Sequence, residues 1–475
     1  MQEKNGVSQA LSQNPPRHAV LLAAGAGSRL RAAAGRPKPL TPVLGLTLAE
    51  RAVLFFRSLG VEHITVAVGY RAAEVQSHFR QIAQRHGVVV DCVEVPDWER
   101  GNGESARVAI RRLQEQLPDA GARFWLAMTD HLFHGAVAQA LLQRPLPDGA
   151  VRLAVDYRLD RLFDPQDATR VRLHKRDGEL HILDIGKDIF GWQAVDTGLF
   201  LCTFGLLEAL EEAAAAGQHG LSDAMRLLAQ RHKALAGRIE GGWWLDVDTP
   251  EALQEAERRL LAQERGKAHD GPISRHINRP LSRLISRILS RWPITPNQIT
   301  LFSFALALFA AWLMAQPGWL WLALGGLLAQ VSSIIDGCDG EIARLKYQRS
   351  EFGGWLDAVL DRYADAALLF GLAWHAAAAT SGNGLDGTAM LWGFLAIIGS
   401  FVNSYTADKY DGLMRQRLGA AAVQRFRLGR DVRVFLIMLG ALLNMPLLAL
   451  AIIAIIMNAE VLRRILLFRR AAASG

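Results

Sequence analysis

Cysteine is scarce in this chain of 475 residues: Cys92, Cys202 and Cys338 lie far apart, and none belongs to a CxxC pair. A disulfide framework and a cysteine zinc site are both excluded. Charge is sparse too, at 21% of residues, and with a mean hydropathy of +0.12 the composition excludes disorder as the main state. A basic excess is missing from residues 1–270, which carry 33 Lys and Arg against 34 Asp and Glu, whereas residues 271–475 carry 20 against 12. The formal charge of +7 therefore comes from the half that holds the long apolar runs. It is no nucleic-acid footprint, and no nucleic-acid partner is expected. The opening residues, MQEKNGVSQALSQNP, lack the apolar core of a signal peptide, so residues 1–17 are expected to form a flexible, cytosolic end. Apolar residues are abundant, at 51%, and the length exceeds what one core usually organises. Two or more units are expected.

Short apolar runs alternate with helical stretches as far as about Ala256. Strands are expected at 19–25, 63–69, 88–95, 124–130 and 151–157, with helices near 48–59 and 71–86. This β-α-β-α rhythm implies an α/β domain over 18–256, a parallel sheet covered by helices on both faces. A charged helical segment then leads to Gly271 and Pro272, so 257–292 is read as linker plus juxtamembrane helix. Within it, residues 273–291 place Ile and Leu at helical spacing with Arg279, Arg283, Arg287 and Arg291, a basic amphipathic helix suited to an anionic membrane surface.

Residues 293–475 hold six apolar stretches, near 299–316, 318–335, 353–378, 388–406, 431–445 and 446–466. An all-α membrane domain with six transmembrane helices is expected. The segment 336–352 carries Arg344, Lys346 and Arg349, and 407–433 carries seven Lys and Arg, whereas the turns around Pro317, 381–387 and 444–446 have none. By the positive-inside rule, the basic loops, both termini and the α/β domain share the cytoplasmic side of a multi-pass protein.

The first strand runs into Ala23, Ala24, Gly25, Ala26, Gly27, Ser28, Arg29 and Leu30, followed by Arg36, Pro37, Lys38, Pro39 and Leu40. Glycines let backbone approach a phosphate, and Arg29 and Lys38 add cations for a triphosphate. A lone GxG after a strand is weak evidence, but its pairing with PKPL is specific. These residues resemble the sugar-phosphate nucleotidyltransferases, whose opening signature is LAAGxGxRL followed by PKPL. The segments Gly101 to Ser105 (GNGES), Met128 to Phe133 (MTDHLF), Ile185 to Lys187, Val195 to Gly198 (VDTG) and Trp244 to Pro250 (WLDVDTP) narrow the match to inositol-1-phosphate cytidylyltransferase domains. The resemblance implies a Rossmann-like sheet that binds CTP and inositol 1-phosphate. Ala23, Ala24, Gly25, Gly27, Ser28, Arg29, Lys38, Asn102 and Ser105 are the nucleotide-binding candidates, with Arg29 and Lys38 also catalytic. Asp130 ends an apolar strand, where a carboxylate can hold Mg2+ or Mn2+ at the edge of a parallel sheet. A second acid from Asp246 and Asp248 would complete that metal site, Asp248 being favoured. Lys187 is the candidate for the sugar phosphate and Asp196 and Thr197 for substrate hydroxyls, while His131 is read as a supporting or core histidine.

The most specific pattern is Asp336, Gly337, Cys338, Asp339, Gly340, Glu341, Ile342, Ala343 and Arg344, then Gly353 to Asp361 with acids at Asp357 and Asp361. Spacings of three and four put each aspartate pair on one helical face. Four facing acids beside apolar spans repel unless cations lie between them, and oxygen clusters suit Mg2+ or Mn2+. The pattern resembles the CDP-alcohol phosphotransferase signature, DxxDGxxAR followed by GxxxDxxxD, with every fixed position present. That resemblance implies that Asp336, Asp339, Asp357 and Asp361 bind divalent metal, that Gly340, Ala343 and Arg344 contact the CDP group, and that Asp361 is the catalytic base. Asn297 and Thr300 match the family's segment at the start of the first span and are nucleotide-site candidates. Arg427, Arg430 and Arg433, with Lys409, are candidates for a phosphorylated acceptor, because arginine forks match phosphate.

The two halves together resemble a bifunctional family that makes CDP-inositol and then transfers its inositol phosphate to a second inositol 1-phosphate, releasing CMP. Family members imply a lipid bilayer as partner and a homodimer formed through the membrane domain. Two alternatives stand beside this: head-group transfer to a lipid alcohol, and a non-enzymatic membrane-tethered nucleotide sensor.

Overall fold

The computed structural model describes residues 15–27, 29–30, 35–117, 119, 121–263, 271–380, 385–413 and 429–472. They fall into two compact units, Met1–Arg259 and Leu260–Gly475.

In the first unit the strands are β1 (His18–Ala23), β2 (Pro42–Val43), β3 (Leu46–Thr47), β4 (His63–Val68), β5 (Val89–Glu94), β6 (Phe124–Met128) and β7 (His131–Phe133). They continue with β8 (Val151–Asp156), β9 (Arg170–Arg176), β10 (Glu179–Gly186), β11 (Ala194–Cys202), β12 (Ala234–Arg238) and β13 (Trp244–Asp246). Nine of them form one sheet in the order β5-β4-β1-β6-β11-β8-β12-β10-β9. Strands β5, β4, β1 and β6 are parallel, as the sequence rhythm implies. Beyond them the sheet is mixed: β11 runs antiparallel to both β6 and β8, and β9 and β10 form an antiparallel pair. A run of strands without intervening helices can only return antiparallel, and 170–202 is such a run.

Among the described residues the longer helices here are α1 (Leu48–Ser58), α2 (Ala72–His86), α3 (Asn102–Gln116), α4 (Gly135–Leu141), α5 (Gly205–Ala215), α6 (Leu221–Gln230) and α7 (Pro250–Gln263). Thr47 starts α1 by accepting from the Glu50 N–H, and Gly87 ends α2 in the left-handed region. Alternation along the strands splits the core into two layers. Val20 and Leu22 pack with Ala106, Ile110, Leu207 and Met225 on one face, whereas Ala19 and Leu21 pack with Val53, Phe56, Phe79 and Val137 on the other.

The second unit is helical: α8 (Arg279–Leu289), α9 (Pro296–Ala315), α10 (Trp319–Leu345), α11 (Glu351–Thr380), α12 (Gly387–Leu413), α13 (Arg430–Leu442) and α14 (Pro446–Ala472). A capping box between Thr295 and Gln298, with Pro296 at the first position, fixes the start of α9. Each of the six expected apolar stretches forms a helix, but only α9, α10, α12 and α14 contain a described stretch long and apolar enough to cross a membrane. The exceptions have plain causes: α11 carries Asp357, Asp361, Arg362 and Asp365, and α13 has 13 residues. Small residues let the helices approach closely. A Cβ on Gly371 of α11 would lie 2.4 Å from the Ala311 carbonyl oxygen of α9.

The juxtamembrane helix α8 packs against α10 through its small polar residues. Its polar side turns inward: Ser282 and Ser286 of α8 donate to Glu341 of α10 at 2.7 and 2.8 Å, and the Arg279 guanidinium lies 3.1 Å away. Ile277, Leu281, Leu284, Ile288 and Trp292 are left exposed instead. A fully buried carboxylate needs its donors, so Glu341 draws Arg279 and the two serines inward, while Arg287 and Arg291 of the same segment stay exposed.

Candidate active sites

The first site is built where β1, β6 and β13 end. Gly27 has φ +55°, and a Cβ there would meet the Lys38 side chain at 2.6 Å, so the glycine loop and Lys38 interlock. Ala23 and Ala24 are buried beneath it, and the Ala24 carbonyl accepts from the Tyr70 N–H; a side chain on Gly25 would meet nothing. Ser28 lies outside the described residues. Buried Lys38 is ringed by acids: its Nζ donates to Asp130 at 2.6 Å and to Asp248, with Asp246 at 3.5 Å. Arg29 donates to Asp248 at 2.9 Å and to Asp167 at 2.7 Å, and Lys187 also donates to Asp167.

Asp130, His131 and Asp246 bring ligand atoms within 4.8 Å of one another. His131 Nδ1 lies 2.8 Å from Asp130 Oδ1, and its ring stacks parallel to Trp244. Burial opposes ionisation of Asp130, but the Lys38 ammonium and His131 hold its carboxyl well below the usual range. Burial also opposes a charged His131, yet Asp246 and Asp130 raise its pKa. Asp246 is pushed up by burial first, with neighbouring Asp130 adding to it, and its buried Oδ1 is the atom that lies 3.5 Å from Lys38 Nζ. The oxygen and nitrogen donors of Asp130, His131 and Asp246 form a set that could hold a divalent cation, and Asp248, the acid favoured from the sequence, lies beside them paired with Arg29 and Lys38.

The remaining candidates divide. Asp196 accepts from the Gly198 N–H at 2.6 Å, and burial pushes it up to about 6. Thr197 turns inward and donates to the Ala154 carbonyl, so its hydroxyl serves the sheet and not a substrate. Asn102 Oδ1 accepts from the Leu221 N–H at the start of α6, and Ser105 is buried within α3. Asp167, which joins Arg29 to Lys187, escaped sequence reasoning because a single acid in a loop has no spacing to mark it.

The second site lies where α9, α10, α11 and α13 meet. Carboxylate oxygens of Asp336, Asp357 and Asp361 fall within 4.8 Å of one another, hard donors that fit Mg2+ or Mn2+. Asp339 stands apart from that group: it accepts from Thr300 Oγ1 at 2.7 Å and from the Gly340 N–H. Ser303 Oγ donates to Asp336 at 3.1 Å. Asn297 faces Gly353, the Arg344 guanidinium lies over Gly340, and Ala343 is half-buried. Arg430 and Arg433 belong to α13 and not to a loop. Arg430 Nη1 lies 2.7 Å from Asp336 and 2.6 Å from Asp361, its Nε donates to Asp365 at 3.1 Å, and buried Arg433 donates to Asp365 as well. Asp365 was missed although Asp357, Asp361 and Asp365 continue one spacing of four. Arg427 lies outside the described residues, as does the side chain of Lys409.

Two enzyme classes account for these two sites. Residues 19–235 match the MobA-like NTP transferase domain, and residues 293–466 match the CDP-alcohol phosphatidyltransferase family. A relative from Rubrobacter xylanophilus, a bifunctional IPC transferase and DIPP synthase, is 41% identical over 95% of this chain and 96% of its own. One of the same name from Aquifex aeolicus is 32% identical over 94% and 97%. Among solved structures, an inositol-1-phosphate CTP transferase from T. maritima aligns with 52% of this chain and 97% of its own, at 24% identity and a TM-score of 0.44. The chain belongs to the family of bifunctional IPC transferases and DIPP synthases.

Proposed function

We propose that the protein converts CTP and inositol 1-phosphate into CDP-inositol and diphosphate at the first site. At the second it transfers inositol phosphate from CDP-inositol to another inositol 1-phosphate, giving di-myo-inositol phosphate phosphate and CMP. The observation that carries this reading is the convergence of Asp336, Asp357 and Asp361 in a chain whose other unit holds a separate acid site around Lys38.

In the first reaction a phosphate oxygen of inositol 1-phosphate attacks the α-phosphorus of CTP, and the bond to the β-phosphate breaks. Arg29 and Lys38 neutralise the nucleotide phosphates, Lys187 holds the sugar phosphate, and Asp196 accepts from an inositol hydroxyl. Asp130 and Asp246 would hold the divalent cation, which lowers the charge repulsion between the phosphates. In the second, an acceptor hydroxyl attacks the β-phosphorus, Asp361 takes its proton, and CMP leaves. Asp336, Asp357 and Asp361 would hold metal, with Asp339 completing the set from beside Thr300.

The same reading has all six helices crossing a bilayer, with the first unit and both termini on the cytoplasmic side and two copies pairing through the helical unit. Its support is the lack of Lys and Arg in three alternate turns. Exposed Trp312, Trp319 and Trp321 cluster at one of them, as interfacial aromatics do.

Phosphorus NMR of a reaction containing CTP, inositol 1-phosphate and Mg2+, followed by organic extraction, tests the chemistry. Diphosphate, CMP and a water-soluble phosphodiester are expected. A product in the organic phase replaces the soluble acceptor with a lipid alcohol, and a folded protein that releases neither diphosphate nor CMP is no transferase.

A further inference from the structure

Beside the second site lies a buried acid outside the aspartate signature, Asp365. Asp365 is buried at 5% exposure, one helical turn beyond Asp361 on α11. Both of its oxygens accept from α13, one from Arg430 Nε at 3.1 Å and the other from Arg433 Nη2. Arg433 is itself buried, packed between Asp365 and the Met457 sulfur at 3.9 Å, so its guanidinium serves Asp365 and is not an open phosphate clamp. Arg430 differs. Its Nε is tied to Asp365 and its Nη1 to Asp336 and Asp361, while Nη2 has no hydrogen-bond partner among the described residues. A guanidinium gripped on two of its three nitrogens presents the third in a fixed direction.

We propose that Asp365 is a positioning residue for the second transfer, acting through Arg430. Supported from behind by Arg433, it fixes the Arg430 guanidinium against Asp361, so that the phosphate of the acceptor meets an oriented donor beside the carboxylate that takes its hydroxyl proton. An acceptor with a phosphate gains from this arrangement, and one without it does not. The CDP group is expected at Gly340 and Arg344, as the family resemblance implies. The inference rests on the second reaction proposed above and deepens it.

Full-length protein in detergent, supplied with CDP-inositol, inositol 1-phosphate and Mg2+, tests it through CMP release. Asp365→Asn is expected to raise KM for inositol 1-phosphate by about tenfold or more, equivalent to about 1.4 kcal/mol, with KM for CDP-inositol within about twofold of wild type. Asp365→Glu, which keeps the charge, is expected to recover most of the acceptor KM. Arg433→Lys loses the planar fork but keeps the charge, and should show the same selective rise; it is the second variant should Asp365→Asn fail to fold. An unchanged acceptor KM in a folded Asp365→Asn protein overturns the inference. So does a parallel rise of both KM values, which a merely structural aspartate would produce. Wild-type protein that releases no CMP from these substrates removes the second reaction itself, an outcome distinct from wild-type turnover with unaltered variants.

Discussion

Asp196 is an acid whose burial, and not a partner, sets its behaviour. Its pKa is raised to about 6 against 3.8 for the free group, so the folded state favours the neutral carboxyl. Stability from this group is complete below the unfolded value and is lost as pH rises through about 6. Asp196→Asn keeps an acceptor for the Gly198 N–H without the charge, and is expected to stabilise the protein by about 1–3 kcal/mol at pH 8, with the difference shrinking toward pH 4. Thermal unfolding at the two pH values measures it, and a variant less stable than wild type at pH 8 contradicts the assignment. Residues of this kind show what sequence can reveal. The glycine loop with Lys38, and the four aspartates of α10 and α11, are visible because chemistry dictates their spacing along a single segment. Asp167 is invisible because its partners, Arg29 and Lys187, are far from it in sequence. Thr197 misleads because one strand residue turned by half a pleat moves from the site to the core.

Among the elements, helices and parallel strands were legible from periodicity, whereas the antiparallel course of β11 was not. Period-two patterning says which face a strand buries and nothing about its direction. The amphipathic character of α8 was equally plain, but not which side faces the bundle, since that is decided by Glu341 on a different helix. Helix contact in the second unit rests on small residues, and Gly371 gives the sharpest case. An added methyl group meets the Ala311 carbonyl oxygen, so Gly371→Ala is expected to cost about 1–3 kcal/mol by forcing α9 and α11 apart. CMP release from CDP-inositol should then fail at a lower temperature than in wild type, while diphosphate release from CTP keeps its thermal profile. Equal loss of both activities would mean that the substitution acts beyond the helix pair.

For the whole molecule, two compact units with separate acid sites imply that the reactions can be disabled one at a time. Asp130→Ala is expected to lower diphosphate release by about 100-fold or more and to leave CMP release from added CDP-inositol intact; Asp357→Asn should do the reverse. Mixing the two variants then restores the final product from CTP and inositol 1-phosphate alone, because CDP-inositol made by one molecule is consumed by another. If either variant in folded form loses both activities, the two-site account is wrong. The uninterrupted run of α10 has one more consequence. Seventeen residues separate Trp319 from Asp336, about 26 Å at 1.5 Å per residue, close to the roughly 30 Å of a hydrocarbon layer. The helix is thus a ruler with tryptophan at one end and the acid cluster at the other. In the proposed bilayer topology a thicker lipid layer would drag Asp336 toward hydrocarbon and a thinner one would strand Trp319 in water, so acyl-chain length in reconstituted vesicles is expected to alter CMP release and to leave diphosphate release unchanged.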